Sequence, residues 1–209
     1  MMQLDNRPTA LIVVDMQNAF CNDKGSMVTR GFDIAGLKKR VDPCIKLVKA
    51  ARAAGVAVIQ TQFVRHPDYV DAGLALREIM PNALKVASLH IGSWDAAIIP
   101  ELGPDPHDIV IPKNRPSAFF ATQLESYLNA MKIENIVVCG VTTNMCVETT
   151  VRDAAQRDYR VFVAEDAVGE VDPHRHTMAL RAMAHMFATL TNVDDVIEVW
   201  RGRNERTAA

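Results

Sequence analysis

Apolar positions along this chain fall into two alternating kinds of segment. The first kind is a short unbroken run: Ala10-Leu11-Ile12-Val13-Val14, Val56-Ala57-Val58-Ile59, Asp108-Ile109-Val110-Ile111-Pro112, Ile136-Val137-Val138-Cys139 and Arg160-Val161-Phe162-Val163-Ala164. Runs of this length, rich in β-branched residues, read as strands covered on both faces. The second kind repeats with helical spacing. Between residues 33 and 54, Val41, Ile45 and Val48 share a face opposite Lys and Arg; Pro43 either starts the regular helix, after Asp42 as cap, or kinks it, and Gly55 stops it. A helix from about Thr122 to Met131 buries Leu124 and Leu128. Gly140 ends the fourth strand, and a helix begins near Met145 with Val147, Val151 and Ala154 at i, i+4 and i+7. His174 to Phe187 is helical, its Met178, Met183 and Met186 read as core filler. Val193 to Val199 reads as a short last strand. Residues 1–8 and 201–209 read as loose tails. Strands alternating with helices predict an α/β domain spanning residues 1–209, with a parallel sheet covered on both faces.

Residues 64–107 break this rhythm. They hold His66, His90, His107, five prolines and two short helical patterns, around Ala72–Met80 and Trp94–Ile99. An excursion this long reads as a lid or a subunit contact, with Trp94 as its anchor. The histidines lack metal-site spacing.

Composition narrows the function classes. Hydrophobic residues make up 49% and charged residues 23%, with a net charge of -2 and no basic block, which argues against nucleic acid as a partner. No apolar run reaches membrane-spanning length, and no secretory signal is visible at the start. Cys21, Cys44, Cys139 and Cys146 show no paired spacing, so reduced thiols in a cytoplasmic protein are expected.

Three chemically complementary residues share one setting. Asp15, Lys113 and Cys146 each stand at or just beyond the C-terminal end of a predicted strand, and parallel strands bring those ends to one edge of the sheet. Cys146 in the first turn of a helix gains from free N–H groups and the dipole, which favour a thiolate and an adjacent oxyanion. The lysine can hold that thiolate, and the carboxylate can carry its proton. Taken singly each has a plainer reading: a buried apolar thiol, a helix cap and a solvated lysine.

Together these residues resemble the isochorismatase-like cysteine hydrolases. That family has a strand ending in D-x-Q, a strand ending in K followed by S-x-F, and G-x-x-T-x-x-C-V. The matching segments are Asp15-Met16-Gln17, Lys113 with Ser117-Ala118-Phe119, and Gly140 to Val147. The resemblance implies a three-layer α/β/α fold with a six-stranded parallel sheet in order 3-2-1-4-5-6. Asp15 and Cys146 then flank the switch point, and Lys113 reaches in from an outer strand. It further implies an Asp15/Lys113/Cys146 triad, an oxyanion hole from the N–H groups of Thr142 and Cys146, and a cis peptide between Val141 and Thr142.

Nicotinamidase relatives carry an Asp-x-His metal motif after strand 2, where this chain has Gln62-Phe63-Val64-Arg65-His66; no metal and no cofactor are expected. Ureide-cleaving members, the ureidoacrylate and biuret hydrolases, are more similar in wording at Asp15 to Phe20, Gly92 to Asp95 and Thr143 to Thr150. The expected activity is therefore cysteine-dependent hydrolysis of a C–N bond in a small amide or ureide, through a thioester. Asn18, Phe20, Asn114, Arg115 and Phe119 flank the motifs as candidate substrate contacts. Two rivals stand beside this: vinyl-ether hydrolysis of the isochorismatase type, and a non-catalytic binding role on the same fold. A homo-oligomer, dimer or tetramer, is expected.

Overall fold

A computed structural model describes residues 2–207, with side chains described through residue 202. Six strands alternate with helices: β1 (Thr9–Val14), α1 (Asn18–Cys21), α2 (Ser26–Thr29), α3 (Ala35–Lys38), α4 (Val41–Ala53), β2 (Ala57–Phe63), β3 (Ile109–Lys113), α5 (Leu124–Ala130), β4 (Asn135–Val141), α6 (Glu148–Ala155), β5 (Arg160–Gly169), α7 (Pro173–Met186), β6 (Thr189–Thr191) and α8 (Val193–Thr207). All pairings are parallel, in the order β3-β2-β1-β4-β5-β6. Helices α4 and α8 pack on one another over the sheet, and α6 packs on α7 and β5, giving the expected three-layer architecture. Every residue of β1 and β4 is buried, as unbroken apolar runs require in a sheet covered on both faces.

The order of the sheet reverses between β1 and β4, so their C-terminal ends open a crevice. The two strands approach closely there. A side chain on Gly140 would place its Cβ 2.1 Å from the Val14 carbonyl oxygen, and Gly140 has a φ of +109°. The glycine thus allows a tight crossing rather than ending the strand, and β4 runs on through Val141. Strand β5 likewise continues past Ala164 to Gly169, after a register shift opposite Val138 and Gly140.

Several other expectations give way to the structure. Residues 193–199 are not a strand but the start of α8, while the last strand is Thr189–Thr191. Asn192 and Asp195 cap one another reciprocally, Asp195 N–H donating to Asn192 Oδ1 at 2.8 Å and Asn192 Nδ2 to Asp195 Oδ2 at 2.7 Å. Val193, Val196 and Trp200 then share one buried helical face. The helix continues through residue 207, so most of the expected loose tail is helical; residues 208 and 209 lie outside the described residues. The helical region before β2 is split into α3 and α4, with Arg40 rather than Asp42 at the cap position of α4. Of the three methionines, Met183 is core, but Met178 and Met186 face solvent.

The 64–107 excursion contains a π-type turn at Ala75–Ile79 and 3-10 turns at Pro81–Lys85 and Pro100–Leu102. Residues 94–99 are turn and bridge rather than helix. Its anchor is Asp95, not the half-exposed Trp94: the Asp95 carboxylate accepts from Ser26 N–H, Ser26 Oγ and Leu89 N–H, each at 2.8 Å. Gln17 ties the excursion to the sheet. Its amide bonds Phe63 in both directions, at 2.9 and 2.8 Å, and donates to the Ala96 carbonyl at 2.7 Å.

Candidate active site

Asp15 follows β1 directly and takes a φ of 50°, a left-handed backbone that a non-glycine residue adopts where surrounding structure enforces it. Here Thr61 on β2 does so. Asp15 N–H donates to Thr61 Oγ1 at 3.0 Å, and that hydroxyl donates to Asp15 Oδ1 at 2.6 Å. The second oxygen, Oδ2, lies 2.7 Å from Lys113 Nζ, and both side chains are completely buried. Lys113, the last residue of β3, reaches across β2 to make this pair. Its ammonium also donates to the Arg115 carbonyl at 3.2 Å and sits 4.4 Å from the centre of the Phe63 ring.

Cys146 lies in a π-type turn, Thr143–Val147, that carries the chain from β4 into α6; Val147 N–H donates to the Thr142 carbonyl at 3.2 Å. Such turns recur at functional sites. The Val141–Thr142 peptide bond is cis. Thr150 fixes the backbone on the other side, donating to the Cys146 carbonyl at 2.6 Å while accepting from Ala118 N–H at 3.0 Å. Ser117 bonds Asp153 on α6. The S-x-F segment therefore braces the cysteine turn from the β3 side.

The charges of Lys113 and Asp15 both act on the Cys146 thiol, as does hydrogen bonding from the Lys113 ammonium to sulfur and from the thiol to the Asp15 carboxylate. Burial pushes that thiol up, Lys113 pulls it down and Asp15 pushes it up again, for a net rise to about 12. Burial and Asp15 thus work against the thiolate expected from the helix start, while Lys113 works for it. Desolvation and the carboxylate outweigh the lysine and the dipole. For Lys113, burial works against the charge, but Asp15 and Cys146 outweigh it and hold the amine above its ordinary value. Cys146 as a residue keeps a trace of exposure, 6%, which Asp15 lacks.

The five candidate substrate contacts divide. Asn18 is buried, its Nδ2 donating to the Trp94 carbonyl at 2.8 Å while Oδ1 has no partner among the described residues. Phe20 is core. Asn114 and Arg115 are part-buried beside Lys113, and Arg115 Nη1 donates to the carbonyls of Asp71 and Asn114. Phe119 is removed from the site: its ring packs on Tyr159 and Arg157, which precede β5 and so stand at the opposite edge of the sheet. Thr61, Phe63, Arg65 and Thr150 were missed as site residues. Thr61 and Phe63 lie beyond the run read as the second strand, which in the structure extends to Phe63; pairing of β2 with β1 brings Thr61 to Asp15, and pairing with β3 sets Phe63 opposite Lys113. Among the described residues no group of three or more His, Cys, Asp or Glu could hold a metal ion, and no helix is long and apolar enough to cross a membrane. A surface groove of about 870 Å³ between α4 and α8 is lined by residues such as Lys46, Lys49 and Trp200, away from Cys146.

An acid–base pair buried beside a thiol, at the switch point of a doubly covered parallel sheet, fits an α/β enzyme of the hydrolase class. More particularly, the chain belongs to the isochorismatase family, whose domain model matches residues 9–195. It is 43% identical to a ureidoacrylate amidohydrolase (RutB) of Azorhizobium caulinodans, over 79% of this chain and 78% of that one. A RutB of Methylorubrum extorquens is 38% identical over 90% of this chain and 81% of its own length. Among solved structures, a cysteine hydrolase from Pseudomonas syringae pv. phaseolicola superposes with a TM-score of 0.84 at 31% identity, covering 97% of this chain and 99% of that one. An N-carbamoylsarcosine amidase from Thermoplasma acidophilum superposes with a TM-score of 0.73 at 28% identity, covering 89% and 96%.

Proposed function

We propose that this chain is a cysteine-dependent amidohydrolase that cleaves a small ureide or amide through a thioester, in the cytoplasm and with reduced thiols. The coarser statement, that it is a hydrolase acting on C–N bonds, rests on its family and its amidohydrolase relatives. The finer reading is supported above all by one observation, the fully buried Asp15–Lys113 pair acting on the Cys146 thiol.

The chemistry follows from the resting protonation. As Cys146 Sγ attacks the substrate carbonyl carbon, its proton passes to Asp15 Oδ2, and a C–S bond forms. Lys113 limits the cost of the negative charge on sulfur and then on Asp15. The N–H groups of Thr142 and Cys146 stabilise the tetrahedral oxyanion. Collapse breaks the C–N bond, and Asp15 hands its proton to the departing nitrogen. Asp15 next takes a proton from water, whose oxygen attacks the thioester. The C–S bond breaks, sulfur recovers the proton, and an acid leaves; with a ureide, the acyl group is carbamoyl and the acid is carbamic acid.

Ureides are favoured over simple amides because the relatives above at 43% and 38% identity are ureidoacrylate amidohydrolases. The test is ammonia release from a panel of small ureides and amides, set against pyruvate release from isochorismate, with Cys146→Ala as control. The proposal expects ureide turnover that disappears in C146A. Pyruvate release that survives in C146A would instead establish the vinyl-ether activity.

A further inference from the structure

We infer that Arg65 recognises an anionic substituent on the substrate, so that a ureide bearing a carboxylate is preferred over a neutral one. This rests on the amidohydrolase reading and deepens it.

Arg65 stands two residues beyond the end of β2, and its backbone is clamped to the excursion. Arg65 N–H donates to the Leu89 carbonyl at 2.8 Å, and Ile91 N–H donates to the Arg65 carbonyl at 2.9 Å. The residue is only 8% exposed, and Nη1 is buried without a hydrogen-bond partner among the described residues. Arginine is rarely buried unless paired, because desolvating its charge is costly. Among the described residues no carboxylate forms an ion pair with Arg65. Asp71 acts on the guanidinium only from a distance, its carboxylate accepting from the His66 N–H at 3.2 and 3.1 Å. Arg30, a second cation, acts on it too.

The position of this charge ties it to the chemistry. Arg65 Cζ lies 5.0 Å from the centre of the Phe63 ring, the ring that also carries Lys113 Nζ at 4.4 Å. A charge on Cys146 acts on Arg65 as well. The guanidinium and the lysine of the Asp15 pair therefore flank one aromatic side chain beside the sulfur. A guanidinium fork matches a carboxylate in two parallel hydrogen bonds. A carboxylate on the substrate supplies the missing partner, and a neutral substrate leaves Arg65 unpaired. The rival is a purely structural stack on Phe63, or general electrostatic support of the sulfur.

The test compares 3-ureidopropanoate with propylurea, a neutral ureide of similar length, in wild type, R65Q and R65K. R65Q should lower kcat/KM for the acid by about 10- to 100-fold, chiefly through KM. Its loss with propylurea should be at least about tenfold smaller, and R65K should fall between wild type and R65Q with the acid. A readout that needs no turnover is alkylation of Cys146, followed by mass spectrometry of its peptide. The ratio of iodoacetate to iodoacetamide rates should drop several-fold in R65Q. Equal losses with both ureides, or an unchanged alkylation ratio, would overturn the inference. If R65Q does not fold, R65K must show the same selective loss on a smaller scale, and an unselective effect would overturn it. Failure of every ureide to turn over would sink the amidohydrolase reading, while the alkylation ratio would still decide the role of Arg65.

Discussion

Replacing Lys113 with methionine keeps the volume of the side chain and removes only its charge. The structure sets the consequence. Nζ lies 2.7 Å from Asp15 Oδ2 with neither side chain exposed, so the variant leaves a carboxylate in the core whose remaining side-chain donors among the described residues are the Thr61 hydroxyl and the Cys146 thiol. Breaking a buried pair from one side costs about 3–5 kcal/mol, which in a chain of this length lowers Tm by roughly 6–20 °C. Neutralising the stranded group should recover much of that, so the double variant Asp15→Asn/Lys113→Met should be more stable than K113M alone. Asp15→Asn alone should cost less than K113M, because the ammonium keeps the Arg115 carbonyl and the Phe63 ring face. Urea unfolding followed by the fluorescence of Trp200, a buried core side chain, measures all three. A K113M loss below about 1 kcal/mol, or a double variant no more stable than K113M, would refute the claim that this pair is buried and mutually dependent.

Two further outcomes follow from the same geometry. Stability should fall as pH rises from about 9 toward 12: the unfolded chain ionises Cys146 near its ordinary 9.0, whereas the folded chain holds that proton to about 12. The unfolded state then binds fewer protons, so the slope is negative, with an upper bound of about 4 kcal/mol from this thiol. Lys113, held above its ordinary 10.5, adds to the same fall. Cys21, also pushed up to about 12, contributes a background, so the decisive comparison is a shallower decline in C146A; identical slopes would count against the buried neutral thiol. Gly140→Ala should destabilise by roughly 3 kcal/mol or more and suppress turnover, since its Cβ would meet the Val14 backbone one residue before Asp15. A G140A protein within about 1 kcal/mol of wild type in urea unfolding would contradict the close crossing.

Much of the fold was legible because buried parallel strands announce themselves as unbroken apolar runs, and β1 and β4 are of that kind. The reading failed where two periodicities overlap. In Val193-Asp194-Asp195-Val196-Ile197-Glu198-Val199 the β-branched residues suggest a strand, but the Asn192–Asp195 cap and the Val193/Val196/Trp200 stripe decide for a helix. Gly140 was misread for a related reason: a glycine that breaks a local pattern and one that admits a neighbouring backbone look alike until the neighbour is known.

At the site, Asp15, Lys113 and Cys146 were legible because strand ends in a parallel sheet converge, whichever residues lie between them. Thr61 was not, because its partner is set by the register Ile12↔Ile59 and Val13↔Gln60 rather than by any local feature. The protonation of Cys146 was not legible either. The start of a helix speaks for a thiolate, but burial and Asp15 depend on the assembled core and reverse that preference. Phe119 sat within a motif and still faces away, since the S-x-F segment braces α6 instead of lining the crevice.

The central claim is that the Cys146 sulfur becomes covalently joined to the substrate's carbonyl carbon. Rapid acid quench of the wild-type enzyme turning over a ureide, followed by mass spectrometry of the peptide containing Cys146, tests it most directly. The account predicts a carbamoyl adduct on Cys146 that appears within one turnover and decays as substrate is exhausted. Sustained turnover with Cys146 unmodified at every time point, and equally fast in C146A, would contradict it.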